Sequence, residues 1–386
     1  MTMDSDTFQN LLTSVRKYVN ERLIPLEKEV AENDEVPEDI KHEMAEMGLF
    51  GLTVPEEYGG IGLTTEEEVC VSMELGRASP AFRSVFGTNV GIGSQAIVID
   101  GTKEQKLRYL PKIASGEYVT SFALTEPEAG SDAANLQSTA RLEGNEYVLN
   151  GRKRYITNAP WADVLTVMAR TNPDISGHGG ISSFIVERTS AGLSFGKPEK
   201  KMGQHGAHVC DVIFENCRVP AKNLIGGIEG QGFKTAMKTL DRGRLHLAGV
   251  CVGFADRALE VALGYACERK QFKKPISEFQ LVQGMLAESK AEIYAGRCMT
   301  IDAAKKRDSG QVVATEAACA KMFTSEMCGR VVDRAVQIFG GSGYIADYGV
   351  ERMYRDARLF RIYEGTTQIQ QIVIARNMIR ELLDIQ

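Results

Sequence analysis

The sequence has no Cys-x-x-Cys pair, no stripe of lysine and arginine, and no uncharged run near the ~18 residues that a membrane-crossing helix needs. Each absence removes a class of function. Eight cysteines are scattered at positions 70, 210, 217, 251, 267, 298, 319 and 328. Several fall inside helical patterns, where a reduced thiol packs as a small apolar residue. A reducing cytoplasm is expected, with neither a disulfide framework nor a zinc site. His205 and His208 in GQHGAHVC are three positions apart, but glycines break the helix and no further ligand stands nearby. They read as loop residues. Net charge is −6 with both signs interspersed, which argues against nucleic acid as a partner. The start, MTMDSDTFQNLL, is acidic and polar, unlike a secretory signal. A phosphate-cradling G-x-x-x-x-G-K-[ST] is missing from GGIEGQGFK, and IFGGSGYI follows a helix rather than a strand, so neither reads as a Rossmann loop.

What is present suggests two or three domains, since 386 residues with 43% hydrophobic and 25% charged side chains can bury a sizeable core. Residues 1–118 read as helical. Phe8, Leu11, Leu12, Val15, Val19 and Leu23 recur at spacings of three and four, and Thr65 with Glu68 fits a capping box. From 119 to 228 short alternating runs recur, with turn signals at Gly144-Asn145 and Asn150-Gly151, which predicts a β-sandwich or barrel. From 229 to 386 four long helical patterns return, which predicts a four-helix bundle. The fold class is thus α+β and multidomain: an all-α domain, a β domain and a bundle.

Two stretches carry possible chemistry. LTEPEAGSDAAN leaves a strand, turns at Pro127 and offers Thr125, Ser131 and backbone amides to a polar ring edge, or is a plain turn. RIYEGTTQIQ sets Glu364 just ahead of a helix that Thr366 or Thr367 can cap, Thr367 with Gln370 as a second box. Ile369, Ile372, Val373 and Ile379 predict a buried face for that helix. Burial raises a carboxylate pKa and a helix N-terminus lowers it, so a glutamate held in that balance can act as a general base. A helix-start glutamate that only favours the dipole is the plainer reading.

ALTEPEAGSD, YITNA, RKQF, EFQ, QIFGGSGY, RDARL and IYEGTTQIQ occur in the order and spacing of the acyl-CoA dehydrogenases, and the chain resembles that family, its short- and medium-chain-like members, over essentially its whole length. The resemblance implies FAD between the β domain and the bundle. On the flavin side it implies Phe122, Leu124, Thr125 and Ser131. Covering the other face are Tyr155, Ile156 and Thr157, with tyrosine where many relatives carry tryptophan. Arg269, Gln271, Phe272 and Gln280 match diphosphate and adenine contacts. Gln337, Gly340 and Gly341 match a loop supplied by a neighbouring subunit, and Thr366 and Gln368 contacts at the last helix entrance.

The resemblance also makes Glu364 the base that removes the pro-R α-proton of an acyl-CoA thioester. Its own backbone N–H and a ribityl hydroxyl of FAD would steady the developing enolate oxygen. Asp241, Arg244, Gly365 and Ser131 match substrate or CoA contacts. Some relatives place the base on the long bundle helix, where this sequence has Gly243. Arg83 aligns with an arginine that holds a distal carboxylate in glutaryl-CoA dehydrogenases; a surface or helix-end arginine paired elsewhere is the plainer reading. The family implies electron-transfer flavoprotein as partner, a homotetramer built from dimers, and a role in fatty acid β-oxidation. Oxidase activity, decarboxylating dehydrogenation of a dicarboxylyl thioester, and an inactive CoA-binding scaffold are the alternatives.

Overall fold

The computed structural model describes residues 3–384. At the chain start Val15, Tyr18, Val19 and Leu23 share one face and are buried. They belong to α1 (Ser5–Tyr18), which passes through a π-helical segment at Val19–Leu23 into α2 (Ile24–Asn33). Then come α3 (Glu38–Glu46), α4 (Thr65–Leu75), α5 (Pro80–Val90), α6 (Gln95–Asp100) and α7 (Lys103–Ala114). Leu23, Ile40, Met44, Phe82 and Phe86 form much of the core of this layer.

The capping box of α4 stands one residue earlier than expected. Thr64 is the cap, and its N–H donates to Glu67 Oε2 at 2.8 Å while its hydroxyl accepts from the Glu67 N–H. Glu68 is therefore free of capping duty. It turns inward on the buried face with Ser72 and Leu75.

The middle segment is one curled sheet of β1 (Thr120–Ala123), β2 (Thr139–Glu143), β3 (Glu146–Thr157), β4 (Val164–Arg170), β5 (Ile181–Glu187), β6 (Leu193–Phe195) and β7 (Val209–Pro220). β4 pairs with β1 in parallel and with β5 antiparallel, and meets β2 at the single pair Thr139↔Arg170. β2, β3, β7 and β6 continue antiparallel. Leu149, Leu165, Val167, Phe184 and Val212 fill the concave side. Asn150-Gly151 is not a turn. It lies inside β3 at a register irregularity, where a Cβ on Gly151 would meet the Ser138 hydroxyl at 2.3 Å. A second irregularity, between Lys153 and Ile156, turns β3 at its end, and Tyr155 there has φ +58°.

α8 (Gly232–Glu268) is followed by a small hairpin, β8 (Lys270–Gln271) and β9 (Lys274–Pro275), and then by α9 (Gln280–Asp308), α10 (Ala314–Phe339), α11 (Val350–Ala357) and α12 (Thr367–Asp384). α8, α9, α10 and α12 make the bundle, around Phe254, Ile293, Met327, Val331 and Phe360. α4 crosses α8 at backbone contact, since a Cβ on Gly253 would lie 1.9 Å from the Met73 carbonyl oxygen. The buried face predicted for α12 is only partly covered. Ile372 and Ile379 are exposed, as are Met378, Leu382 and Leu383, because α12 packs on α10 along one edge.

Candidate active site

Glu364 enters the site on a left-handed turn, with φ +54° at Glu364 and +90° at Gly365. Three hydrogen bonds from two side chains hold that turn. Gln370 Nε2 donates to the Glu364 carbonyl at 3.1 Å and to the Gly365 carbonyl at 3.0 Å, and Lys321 Nζ donates to the Gly365 carbonyl at 2.7 Å. The Thr367–Gln370 box does not form. Thr366 caps α12 by accepting from the Ile369 N–H at 3.2 Å, and Thr367 donates to Glu326 at 2.6 Å. Gln370 is drawn back to the turn instead.

The side chain of Glu364 is only 7% exposed and faces a cavity of about 500 Å³. Oε1 is 3.7 Å from Arg83 Nη2, and the buried Oε2 has no hydrogen-bond partner. Gly243 makes the room, since a Cβ there would come within 2.7 Å of Glu364 Oε2. A side chain at that point of α8 would displace the carboxylate.

Arg83 is neither a surface nor a helix-end residue. It stands within α5, 12% exposed, and its Nε donates to His246 Nε2 at 3.0 Å. Accepting there leaves His246 to donate from Nδ1 to Glu68 Oε1, 3.2 Å away. Glu68 Oε2 in turn accepts from Arg242 at 2.8 Å. Burial and the neighbouring Arg83 push the imidazolium form of His246 down. Burial pushes Glu68 up, but Arg242 and His246 prevail and bring it to about 2. A buried chain of alternating partners thus runs from Glu364 into the core.

Of the residues singled out from sequence, Arg83, Phe122, Leu124, Thr125, Ser131, Tyr155, Ile156, Thr157, Arg244, Glu364 and Gly365 all line this one cavity. Asp241 stands beside it, paired with Arg244 Nη1 at 2.7 Å; burial raises its pKa against the pull of that arginine. Thr366 and Gln368 sit at the start of α12 outside the lining. Arg269, Gln271, Phe272, Gln280, Gln337, Gly340 and Gly341 lie elsewhere, around the β8–β9 hairpin and the end of α10. Arg269 follows Arg244 by 25 residues, roughly 37 Å along a helix. Phe272 there is 88% exposed.

Sequence reasoning missed Lys201, Gln204 and Arg376 on the cavity wall, and His246 and Lys321 behind it. A signal existed for the last two: each is an ionisable residue set between apolar neighbours in a helical segment, His246 between Leu245 and Leu247 and Lys321 between Ala320 and Met322.

Three family models match successive parts of the chain: acyl-CoA dehydrogenase N-terminal domain over residues 5–117, middle domain over 121–217 and C-terminal domain over 230–379. Subunit CarC of the caffeyl-CoA reductase–Etf complex of Acetobacterium woodii is 42% identical, covering 92% of this chain and 93% of that one. Butyryl-CoA dehydrogenase from Megasphaera elsdenii superposes with a TM-score of 0.92 at 35% identity, over 98% of this chain and 100% of that one. The chain belongs to the acyl-CoA dehydrogenase family. It is therefore an oxidoreductase acting on CH–CH groups. A solved acyl-CoA dehydrogenase complexed with FAD, from Bacillus anthracis, has a TM-score of 0.92 at 36% identity, over 100% of this chain and 69% of that one, and FAD is the cofactor of this fold.

The cavity suits that group. Phe122, Leu124 and Ile156 offer flat apolar contact, Thr125 and Ser131 add hydroxyls for a polar ring edge, and the strand irregularity lays Tyr155 at the rim. Glu364 lines the same space, with its Oε2 buried beside Gly243.

Proposed function

We propose that the protein carries out FAD-dependent α,β-dehydrogenation of an acyl-CoA thioester to the trans-2-enoyl-CoA, with Glu364 as base and electron-transfer flavoprotein as electron acceptor. The single observation that carries this is the buried carboxylate of Glu364, which accepts no hydrogen bond, standing beside Arg83 in the wall of a cavity also lined by Thr125, Ser131 and Tyr155 to Thr157. The carboxylate has no hydrogen bond to surrender before it takes the α-proton. Arg83 near Oε1 and the doubly anchored turn orient the group, so little rearrangement precedes transfer. Arg244, itself oriented by Asp241, and Ser131 hold the CoA side of the substrate. Phe122, Leu124, Thr125, Ser131, Tyr155, Ile156 and Thr157 hold the ring system, with Thr366, Gln368 and Gly365 at its margin. Bound FAD supplies the acceptor for the β-hydride. Apolar walls exclude water from the reacting carbons.

Residues 1–118, 119–228 and 229–386 are the three units of this enzyme, and a homotetramer of paired dimers is its working form. The remoteness of Arg269, Gln271, Phe272, Gln280, Gln337, Gly340 and Gly341 from the cavity supports a site completed by a second copy. So does the open apolar face of α12. A relative named as a subunit of a reductase–Etf complex supports Etf as the partner and leaves the reverse reaction within reach of the same site. Anaerobic mixing with saturated acyl-CoAs of graded length tests the reading. Bleaching of the flavin by one of them is expected; a flavin left oxidised by all of them contradicts it.

Arg83 favours a second reading, a dicarboxylyl-CoA substrate. A buried guanidinium on the cavity wall is suited to hold a distal carboxylate. Arg83→Ala should then raise KM for glutaryl-CoA at least tenfold more than for butyryl-CoA. Equal effects on both substrates would remove this reading and leave the first intact.

A further inference from the structure

We infer that Lys321 is a positioning residue for the reaction: its ammonium, donated to the Gly365 carbonyl, holds the left-handed Glu364–Gly365 turn and keeps the carboxylate aimed into the cavity. The inference rests on Glu364 being the base. Lys321 stands on α10 with 0% exposure, in a stripe with Ala317, Thr324 and Cys328. Its hydrogen bond to Gly365, at 2.7 Å, spans 44 residues of chain. Among the described residues no carboxylate lies within ion-pair distance of it. A buried ammonium without an ionic partner is unfavourable, and an apolar side chain of the same length would pack there at less cost. Its position therefore calls for another explanation than stability.

The carbonyl it holds belongs to the residue next to Glu364. A non-glycine residue at φ +54° carries strain of about 1–3 kcal/mol and persists only when its surroundings fix it. Gln370 fixes both carbonyls of the turn from α12, and Lys321 fixes one of them from α10. The packing is tight: a Cβ on Gly365 would meet Gln370 Nε2 at 2.5 Å. Without Lys321 the turn is anchored from one helix only, and Glu364 can swing toward Arg83 or away from substrate.

The charge gives the anchor a pH limit. The groups facing Lys321 are Cys251 and Arg244 of α8, Glu326 of its own helix, and Glu364. Burial brings Lys321 down to about 8. Below that pH the anchor is an ammonium; above it, an amine that donates a weaker hydrogen bond.

The test uses the FAD-loaded Lys321→Met protein beside wild type and Glu364→Gln. Expected are a melting temperature equal to or above wild type, unchanged binding of a non-reactive acyl-CoA analogue, unchanged KM, and a kcat lowered on the order of tenfold to a hundredfold. Wild-type kcat is expected to decline above pH about 8, and that decline should be absent from the variant. Gln370→Leu, which removes the other anchor, should lower kcat without removing that alkaline decline. If Lys321→Met fails to fold, Gln370→Leu decides, and an unchanged kcat there overturns the inference. Wild-type kcat with the alkaline decline intact in Lys321→Met also overturns it, as does a parallel loss of binding and melting temperature. A fully active Glu364→Gln would instead remove the base itself.

Discussion

Two buried glutamates, separated by only one arginine and one histidine, are treated in opposite ways. Glu68 has both oxygens bonded, Oε2 to Arg242 and Oε1 to His246. Glu364 has one oxygen 3.7 Å from Arg83 and the other bonded to nothing. The first is locked as an anion that joins α4 to α8. The second keeps open lone pairs in a cavity. Both are buried, so burial does not separate structure from chemistry here; completeness of hydrogen bonding does.

The largest expected effect is at Glu364. Glu364→Gln keeps shape and removes basicity, so the rate of flavin reduction should fall on the order of 10²–10⁴-fold in rapid mixing, with FAD retained. Glu68→Gln should do the reverse. It leaves Arg242 buried without its anion, and denaturant unfolding should register a loss of about 3–5 kcal/mol with a much smaller change in kcat. Acid sharpens the contrast. The folded-state pKa of Glu68 lies near 2, below its ordinary 4.5, so its contribution is complete above the ordinary value and is lost as pH falls toward 2. Wild type should lose roughly 3 kcal/mol across that window through this group, and Glu68→Gln should not. An equal acid slope in both proteins would break the comparison. Smaller still is Gly243→Ala. The methyl favours helix by about 1 kcal/mol but intrudes on Glu364 Oε2. A melting temperature unchanged or raised, with kcat down roughly tenfold, is expected.

The helix–sheet–helix order was legible because the apolar period changes near residue 118 and again near 229. The cavity lining was legible through the family motifs, which carry Thr125, Ser131, Tyr155 to Thr157 and Glu364. What lay hidden depends on partners far away in the chain. Glu68 looked like half of a capping box because its true partner, His246, is 178 residues distant. Lys321 was missed because the carbonyl it holds lies beyond α11. Asn150-Gly151 carries the residues of a hairpin turn, yet the glycine serves close approach to Ser138 within a strand. For α12 the apolar spacing predicted a buried face, yet Ile372 and Ile379 are exposed, because a period does not say whether a face is covered. Arg83 was left between two readings because a single arginine carries no sign of burial until α5 is packed against α8.

Proton abstraction can be isolated from hydride transfer with an acyl-CoA analogue bearing oxygen or sulfur in place of the β-carbon, which has no β-hydride to lose. NMR in D₂O then follows exchange of the α-protons on the FAD-loaded protein. Wild type should exchange one α-proton while the Glu364→Gln protein binds the analogue equally well and leaves both in place. Exchange at the wild-type rate in the variant would contradict the assignment of Glu364 as base.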